Sequence, residues 1–172
     1  MNKEHAEPGL DRKKLLHLFV PQLNRRTFFR WGIAAVLILI FAVLVKPCFI
    51  SGSSMEPGYR DRSVLLIFRW RYTFVPPNRK DVVSIDYFGR RNLLKRVVAL
   101  PGDTVEFRNG ALLINGIIQQ EEYVKKTCSW NFPAVIVREG HCFVVGDNRS
   151  QDIGTHVFGE VELDRINGGP LW

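Results

Sequence analysis

The chain has 172 residues, carries a net charge of +7 and is 46% hydrophobic. This length accommodates one domain of moderate size and one appendage, and the apolar content excludes a disordered chain. The charge is uneven: residues 1–50 hold eight basic and three acidic residues, whereas residues 51–172 are close to balanced. A basic segment beside a balanced domain favours a membrane flank over a nucleic-acid-binding face, so we expect no nucleic-acid partner.

An uninterrupted apolar run, WGIAAVLILIFAVLV, occupies residues 31–45 and contains neither charge nor proline. Arg30 and Lys46 flank it and can reach the lipid headgroups, so that a span of residues 27–48 is long enough to cross a bilayer. No small-x-small motif follows the run, which argues against a cleaved secretory signal. The run is apolar on every side, which argues against the core helix of a soluble protein. We therefore predict a single transmembrane helix over residues 27–48.

Basic residues are concentrated before this span, at Arg12, Lys13, Lys14, Arg25 and Arg26. The positive-inside rule then places the basic tail, residues 1–26, in the cytoplasm. The prediction is a single-pass protein of the cytoplasmic (inner) membrane, with residues 49–172 on the extracytoplasmic side.

Beyond residue 50 the helical periodicity disappears, and short β-rich runs separated by turn residues take its place. Asn109-Gly110 and Asn115-Gly116 each lie between two alternating runs, which is a strong hairpin signal. The pattern predicts a mostly β protein whose residues 49–172 form an antiparallel β-domain, closed or sandwich-like. The predicted strands are 63–68, 81–88, 93–100, 104–107, 111–114, 117–119, 134–137 and 142–145.

The three cysteines, Cys48, Cys128 and Cys142, are too few for a disulfide scaffold. Cys128 and Cys142 could pair outside the cytoplasm. The composition favours the alternative, in which both are small buried hydrophobic residues.

Three segments of the β-domain could carry chemistry. The first, ISGSSMEP at residues 50–57, is either a simple turn or the site of a nucleophilic serine. A serine hydroxyl needs a base to become a nucleophile, and His141 and His156 are the histidines available after residue 50. The third, residues 140–149, is a strand that runs into the polar turn GDNR.

The second segment, residues 92–103, contains Lys95 in a predicted strand. Strand alternation puts Lys95 on the same face as Leu93 and Val97, whereas Arg96 points the opposite way. Either the lysine stem packs and its ammonium reaches water, or the whole side chain is buried. Burial would lower the pKa of the amine, and a neutral amine can accept the proton of a serine hydroxyl.

In this order, behind an N-terminal anchor, the three segments resemble the type I signal peptidases. These are membrane-bound Ser/Lys proteases that remove leader peptides from exported proteins. Residues 52–57 resemble the family's Gly-x-Ser-Met-x-Pro, residues 95–103 its Lys-Arg-Val-x-x-x-Pro-Gly-Asp, and residues 140–149 its Gly-His-x-Phe-x-x-Gly-Asp-Asn-Arg. The resemblance extends from about residue 28 to residue 165.

The resemblance implies Ser54 as nucleophile and Lys95 as general base, with neither metal nor cofactor. It implies the backbone N–H of Ser54 as an oxyanion donor. Gly52 falls where some relatives have a serine that supplies a second donor. The implied fold, a mostly antiparallel β-domain on one N-terminal transmembrane helix, agrees with the strand pattern.

The sequence departs from the family after Arg149. The family's lysine-orienting serine falls on Asp152, whose carboxylate would raise the pKa of Lys95 if the two were adjacent. A local shift would instead give Ser150 the orienting role and make Asp152 the structural acid. In a third possibility, Asp152 points elsewhere, toward His156 or Arg149.

The predicted partners are preprotein signal peptides, the lipid bilayer and, as a further candidate, the export translocon. An extended peptide would lie between residues 50–54 and 92–95, with shallow pockets that admit Ala-x-Ala before the scissile bond. Two alternatives stay open: a specialised Ser/Lys peptidase with few substrates, and a non-catalytic membrane-anchored β-domain that binds peptides. Trp70, Tyr72 and Phe74 either enter the membrane interface or pack in the core.

Overall fold

A computed structural model describes residues 24–87, 91–126 and 128–171, so most of the predicted basic tail lies outside the described residues. The chain divides into two compact units, residues 1–41 and residues 42–172.

The helix α1, Arg25–Leu44, is 20 residues long and has no buried residue. It begins after Asn24, whose side-chain oxygen accepts a hydrogen bond from the N–H of Arg26 at 3.2 Å. At 1.5 Å per residue it is about 30 Å long, the thickness of a bilayer's hydrocarbon core. Among the described residues it is the one helix long and apolar enough to cross a membrane.

The helix ends earlier than the apolar run does. Residues 45–48, which the sequence analysis included in the span, belong instead to the strand β1, Val45–Phe49. Pro47 has no N–H and cannot continue a helix, whereas it is tolerated in a strand at the edge of a sheet. β1 is such an edge strand and pairs with β2, Val64–Phe68.

All strand pairs of the β-domain are antiparallel, as predicted. Seven strands form one sheet in the order β1-β2-β11-β3-β4-β9-β10, and four form a second in the order β7-β6-β5-β8. Short 3-10 helices occupy Ile153–Thr155 and Leu163–Arg165. The remaining strands are β3 Val82–Tyr87, β4 Arg91–Ala99, β5 Thr104–Arg108, β6 Ala111–Ile114, β7 Ile117–Ile118, β8 Phe132–Ile136, β9 His141–Val145, β10 Gly159–Glu162 and β11 Ile166–Pro170.

Both predicted Asn-Gly hairpins are confirmed. Asn109 and Gly110 connect β5 to β6, and Asn115 and Gly116 connect β6 to β7. All four residues have positive φ, the conformation that a two-residue type I′ turn requires. Gly110 is also needed for space, because a Cβ there would collide with the carbonyl of Cys128.

Among the described residues, the buried hydrophobic side chains of the β-domain form three clusters. The largest includes Phe107, Trp130 and Phe143, while the second lies around Val83 and Val97. The third joins Ile50 to Leu65 and Ile67 of β2 and includes the partly buried Leu94 of β4. This third cluster lies directly before Ser54 in the chain and supports the segment that carries it.

The cysteines are free thiols. Cys142 is fully buried in the second core cluster, as the sequence analysis favoured, and Cys128 packs against the first.

Candidate active site

Ser54 lies in the loop between β1 and β2, and both sides of this loop are fixed. Before it, Ile50 donates to the carbonyl of Ser63 and accepts from the N–H of Arg62, at 2.9 and 3.0 Å. After it, the side chain of Met55 is 1% exposed and so anchors the loop in the domain. Gly52 has a φ of 108°, which favours glycine, and donates to the Asp61 carboxylate at 2.7 Å. Ser54 itself is half-buried.

Lys95 lies on β4, between β3 and β9 in the seven-stranded sheet. It is 3% exposed, and its Nζ is 2.9 Å from Oγ of Ser54. The two residues are 41 positions apart in sequence, so the fold brings the first and second predicted segments into direct contact. Lys95 is therefore the buried lysine of the two alternatives considered from the sequence.

Burial lowers the pKa of Lys95 from its ordinary 10.5 to about 8. Asp147 is the carboxylate that opposes this shift by favouring the ammonium. A fully buried ammonium without a counter-ion would lose its proton more readily still. The amine of Lys95 is consequently neutral in a substantial fraction of molecules at neutral to mildly alkaline pH.

Asp147 is paired with Arg96. The Arg96 guanidinium donates to both Asp147 oxygens, at 2.8 and 2.6 Å, and to the carbonyl of Lys80 at 2.7 Å. It also lies over the Tyr123 ring, 4.0 Å from the centroid. The bidentate pair neutralises the buried carboxylate, so that its effect on Lys95 is smaller than the effect of burial.

The turn after β9, residues 146–149, holds the serine loop from the other side. Asn148 donates its N–H to the Ser54 carbonyl at 2.9 Å and its side-chain amide to the Ser53 carbonyl at 3.0 Å. A Cβ at Gly146 would collide with the same Ser54 carbonyl, so only glycine permits this approach. The polar turn of the third predicted segment therefore positions the serine.

Arg149 closes this turn from inside the domain and is 1% exposed. It donates to the carbonyl of Gly146 at 2.7 Å and to Glu121 at 2.6 Å. Tyr123 also donates to Glu121, at 2.7 Å. Glu121 and Tyr123 lie in an irregular segment without any motif, so the sequence contains no signal that predicts their position beside Arg149.

Ser150 and Asp152 take separate positions. The Ser150 backbone N–H and hydroxyl both donate to the Asn148 side-chain oxygen, at 3.2 and 2.7 Å. Asp152 caps the short 3-10 helix and accepts from the N–H of Gly154 at 2.8 Å. Ser150 thus supports the residue that holds the serine loop, and the carboxylate that acts on the pKa of Lys95 is Asp147.

The two histidines considered from the sequence also differ. His156 is 5% exposed, and its Nε2 accepts a hydrogen bond from the N–H of Gly146 at 3.1 Å. Burial, with help from the charges of Lys95 and Arg149, lowers the pKa of His156 to about 4. It is therefore a neutral support of the turn at physiological pH. His141 contacts the carbonyl of Glu139 through Nδ1 at 2.9 Å.

A narrow groove begins at Ser54. It is lined by residues from the end of β1 and the serine loop, by residues 92–94 of β4, and by Leu65 and Ser84. Its enclosed volume is about 20 Å³, which is enough for one water molecule or a methyl-sized group. This small volume favours small side chains beside the serine.

The Ser54 hydroxyl thus contacts a buried amine of lowered pKa beside a small groove, an arrangement that a serine nucleophile with a lysine base would require. The family model described as "Signal peptidase, peptidase S26" matches residues 25–170. The chain therefore belongs to the signal peptidase family, peptidase S26, and is a serine endopeptidase. Its apolar helix agrees with the membrane-anchored architecture predicted from the sequence.

The chain is also similar to individual known proteins. A probable signal peptidase I-1 from Synechocystis is 35% identical over 81% of this chain and 76% of its own length. Signal peptidase I from Bacillus licheniformis is 28% identical over 84% of this chain and 87% of its own length. The chain is 30% identical to thylakoidal processing peptidase 1 of Arabidopsis thaliana and spans 43% of that protein. A crystal structure of a signal peptidase I from Enterococcus faecalis is 28% identical, with a TM-score of 0.46, and covers 54% of this chain and 95% of its own.

Proposed function

We propose that Ser54 and Lys95 form the catalytic dyad with which this signal peptidase removes signal peptides from exported preproteins. The observation that carries the proposal is the 2.9 Å contact between the Ser54 hydroxyl and the buried Lys95 amine. In the neutral state the amine accepts the hydroxyl proton while Oγ attacks the scissile carbonyl. The proton then passes to the leaving amine, and a second cycle with water hydrolyses the acyl-enzyme.

The developing oxyanion needs donors at the serine. In the described part of the chain, the backbone N–H of Ser54 has no acceptor, so it is free to donate to a substrate oxygen. Gly52 contributes no side chain, and space around it is open. We assign the first donor to the Ser54 N–H, and Gly52 the role of shaping the loop. Ser150 and Asp152 are assigned supporting roles: Ser150 donates to Asn148, which holds the serine loop, and Asp152 caps the short 3-10 helix that follows.

The substrates follow from the size of the groove. A volume of about 20 Å³ beside Ser54 accommodates alanine-sized side chains, which supports cleavage after small-x-small sequences. The test is incubation of the purified full-length protein with a preprotein and measurement of both product masses. Cleavage after small-x-small supports the proposal, whereas an intact preprotein contradicts it. The number of preproteins cut distinguishes a general from a specialised peptidase.

The proposed location is the cytoplasmic membrane, with the N-terminus inside and the β-domain outside. The basic residues before α1 support this orientation. The side chains of Trp70, Phe74 and Val75 are 49, 82 and 61% exposed, which supports contact of the β-domain with lipid. Tyr72 instead packs against the second core cluster. The translocon, from which preproteins emerge, is included as a partner.

Orientation is tested with protease added to spheroplasts. The proposal expects digestion of the β-domain and protection of a tag at residue 1, and the reverse pattern contradicts it.

Replacing Asp147 with asparagine should move the pH dependence of cleavage. Because Asp147 favours the ammonium form, the variant should have a lower Lys95 pKa, and its activity should rise at lower pH than in the parent. The variant leaves the Arg96 guanidinium without its buried counter-charge, so we also expect a stability loss of about 3 kcal/mol. The measurement is kcat/KM from pH 5 to 10.

Asp103→Asn is the matched control for this shift. Asp103 is likewise a largely buried aspartate paired with an arginine, Arg79, but it is not among the groups that affect Lys95. In Asp103→Asn, kcat/KM should therefore increase over the same pH range as in the parent. An unshifted profile for Asp147→Asn would show that Asp147 does not act on the base.

A further inference from the structure

Ser84 is a polar residue at a position where the sheet would ordinarily bury a hydrocarbon side chain. It lies in the middle of β3, between Val83 and Ile85, and is 1% exposed. Within the described residues, its hydroxyl has no hydrogen-bond partner. Leaving a buried hydroxyl unpaired costs folding free energy. A bound molecule could supply the hydrogen-bond partner that the folded chain does not provide.

The strand register determines which way this hydroxyl faces. Ser84 lies directly opposite Leu94 of β4, and residues paired in this way share one face of a sheet. Leu94 packs against the third core cluster on the side of the serine loop. On its other side Ser84 is paired with Gly168 of β11, which has no side chain to fill the space. The hydroxyl therefore lies on the face that carries the groove.

The groove itself includes Ser84 together with Ser54, Leu65 and Leu94. Ser51, Ser54 and Asn92 also line the groove, and among the described lining side chains Ser84 carries the one buried hydroxyl that has no hydrogen-bond partner. A methyl group that entered the groove would leave this hydroxyl unpaired. A small side chain with its own hydroxyl could donate to it or accept from it, and so form one hydrogen bond.

We propose that Ser84 is a specificity-determining residue that selects substrates with serine at one of the two small positions before the scissile bond. The inference rests on the proposed function, because it assumes that the substrate lies in the groove beside Ser54. The two small positions are −1 and −3, and they face the same side of an extended peptide, so either can supply the side chain that enters this groove. The bound substrate completes a hydrogen bond that the free enzyme lacks.

The test compares three precursor peptides that are identical except for Ala-x-Ala, Ser-x-Ala or Ala-x-Ser before the cleavage site. We measure kcat/KM for the full-length protein in detergent and for Ser84→Ala. For each protein, kcat/KM of a serine peptide is divided by kcat/KM of the Ala-x-Ala peptide. For one of the two serine peptides, this ratio should be about threefold to tenfold lower in Ser84→Ala than in the parent, because the variant loses one hydrogen bond to the substrate. Ser129→Ala, at an exposed serine, is the matched control and should keep the parental ratios.

Two negative results are distinguishable. Efficient cleavage with the same ratios in the parent and in Ser84→Ala would overturn the role of Ser84 and leave the proposed function intact. Failure of the parent to cut any of the three peptides would overturn the proposed function and this inference with it.

Discussion

Ser54→Ala is expected to lose cleavage activity by roughly 10⁴- to 10⁶-fold, the range typical of the removal of a protease nucleophile. The hydroxyl that contacts Lys95 is then absent, and no acyl-enzyme can form. The groove and the backbone donor at residue 54 remain, so substrate binding should persist. The measurement is the single-turnover rate of preprotein cleavage, with peptide affinity determined in parallel.

The control for Ser54→Ala is again Ser129→Ala, which removes a hydroxyl from an exposed position. Both variants should melt near the parental temperature, since neither creates a buried cavity. Cleavage by Ser54→Ala at the parental rate would refute Ser54 as the nucleophile.

Lys95→Met is expected to be inactive and more stable than the parent. Methionine fills a similar volume but cannot accept a proton, so the loss of activity should approach that of Ser54→Ala. The native pKa of Lys95 is about 8 and its ordinary value is 10.5, so at pH 7 folding buries an ammonium at a cost of about 3 kcal/mol. Removing it should raise the free energy of unfolding by about that amount.

The stability difference between Lys95→Met and the parent should depend on pH. The pKa of Lys95 is lower in the native state than in the unfolded state. The burial of Lys95 therefore costs the parent no stability above about pH 10.5, and the free energy of unfolding decreases as the pH falls from there through 8. The stabilisation by Lys95→Met should therefore be complete below pH 8 and vanish above about pH 10.5. Melting of both full-length proteins in detergent at pH 7 and pH 10.5 measures this difference. Equal stability at pH 7 would mean that the lysine is not desolvated.

Lys95→Arg separates the two properties of the lysine. The guanidinium keeps its proton at every working pH and cannot act as a base, so this variant should also be inactive. Parental activity in Lys95→Arg would make Lys95 a structural cation.

Local sequence signals predicted most of the β-domain. Asn-Gly pairs determine the two hairpins because both residues tolerate positive φ, and the strands around them follow from alternating apolar residues. β1 was missed because its apolar residues continue the run of α1 without a break. β11, INGGP, was missed because glycine and proline are poor strand formers, and it is held by its pairing with β2 and β3.

Site residues whose role depends on their chemical type could be predicted from sequence motifs. Residues whose role depends on contacts between distant parts of the chain could not. Ser54 and Lys95 were predicted as the dyad from their motifs, and the structure adds that the two side chains are in contact and that burial lowers the pKa of the lysine. The sequence raised Asp152 as a carboxylate near Lys95, whereas the one that acts on its pKa is Asp147. Glu121 could not be found at all, because its role comes from an ion pair with a residue 28 positions away.

The central claim is that a buried, neutral lysine is the base, and the pH dependence of kcat/KM tests it most directly. This parameter reports the ionisations of the free enzyme. For the unaltered full-length protein, we predict that kcat/KM rises with an apparent pKa near 8 and reaches a plateau above it. A rise centred near pH 4 to 6.5, where histidines titrate, or a flat profile between pH 5 and 10, would contradict the account.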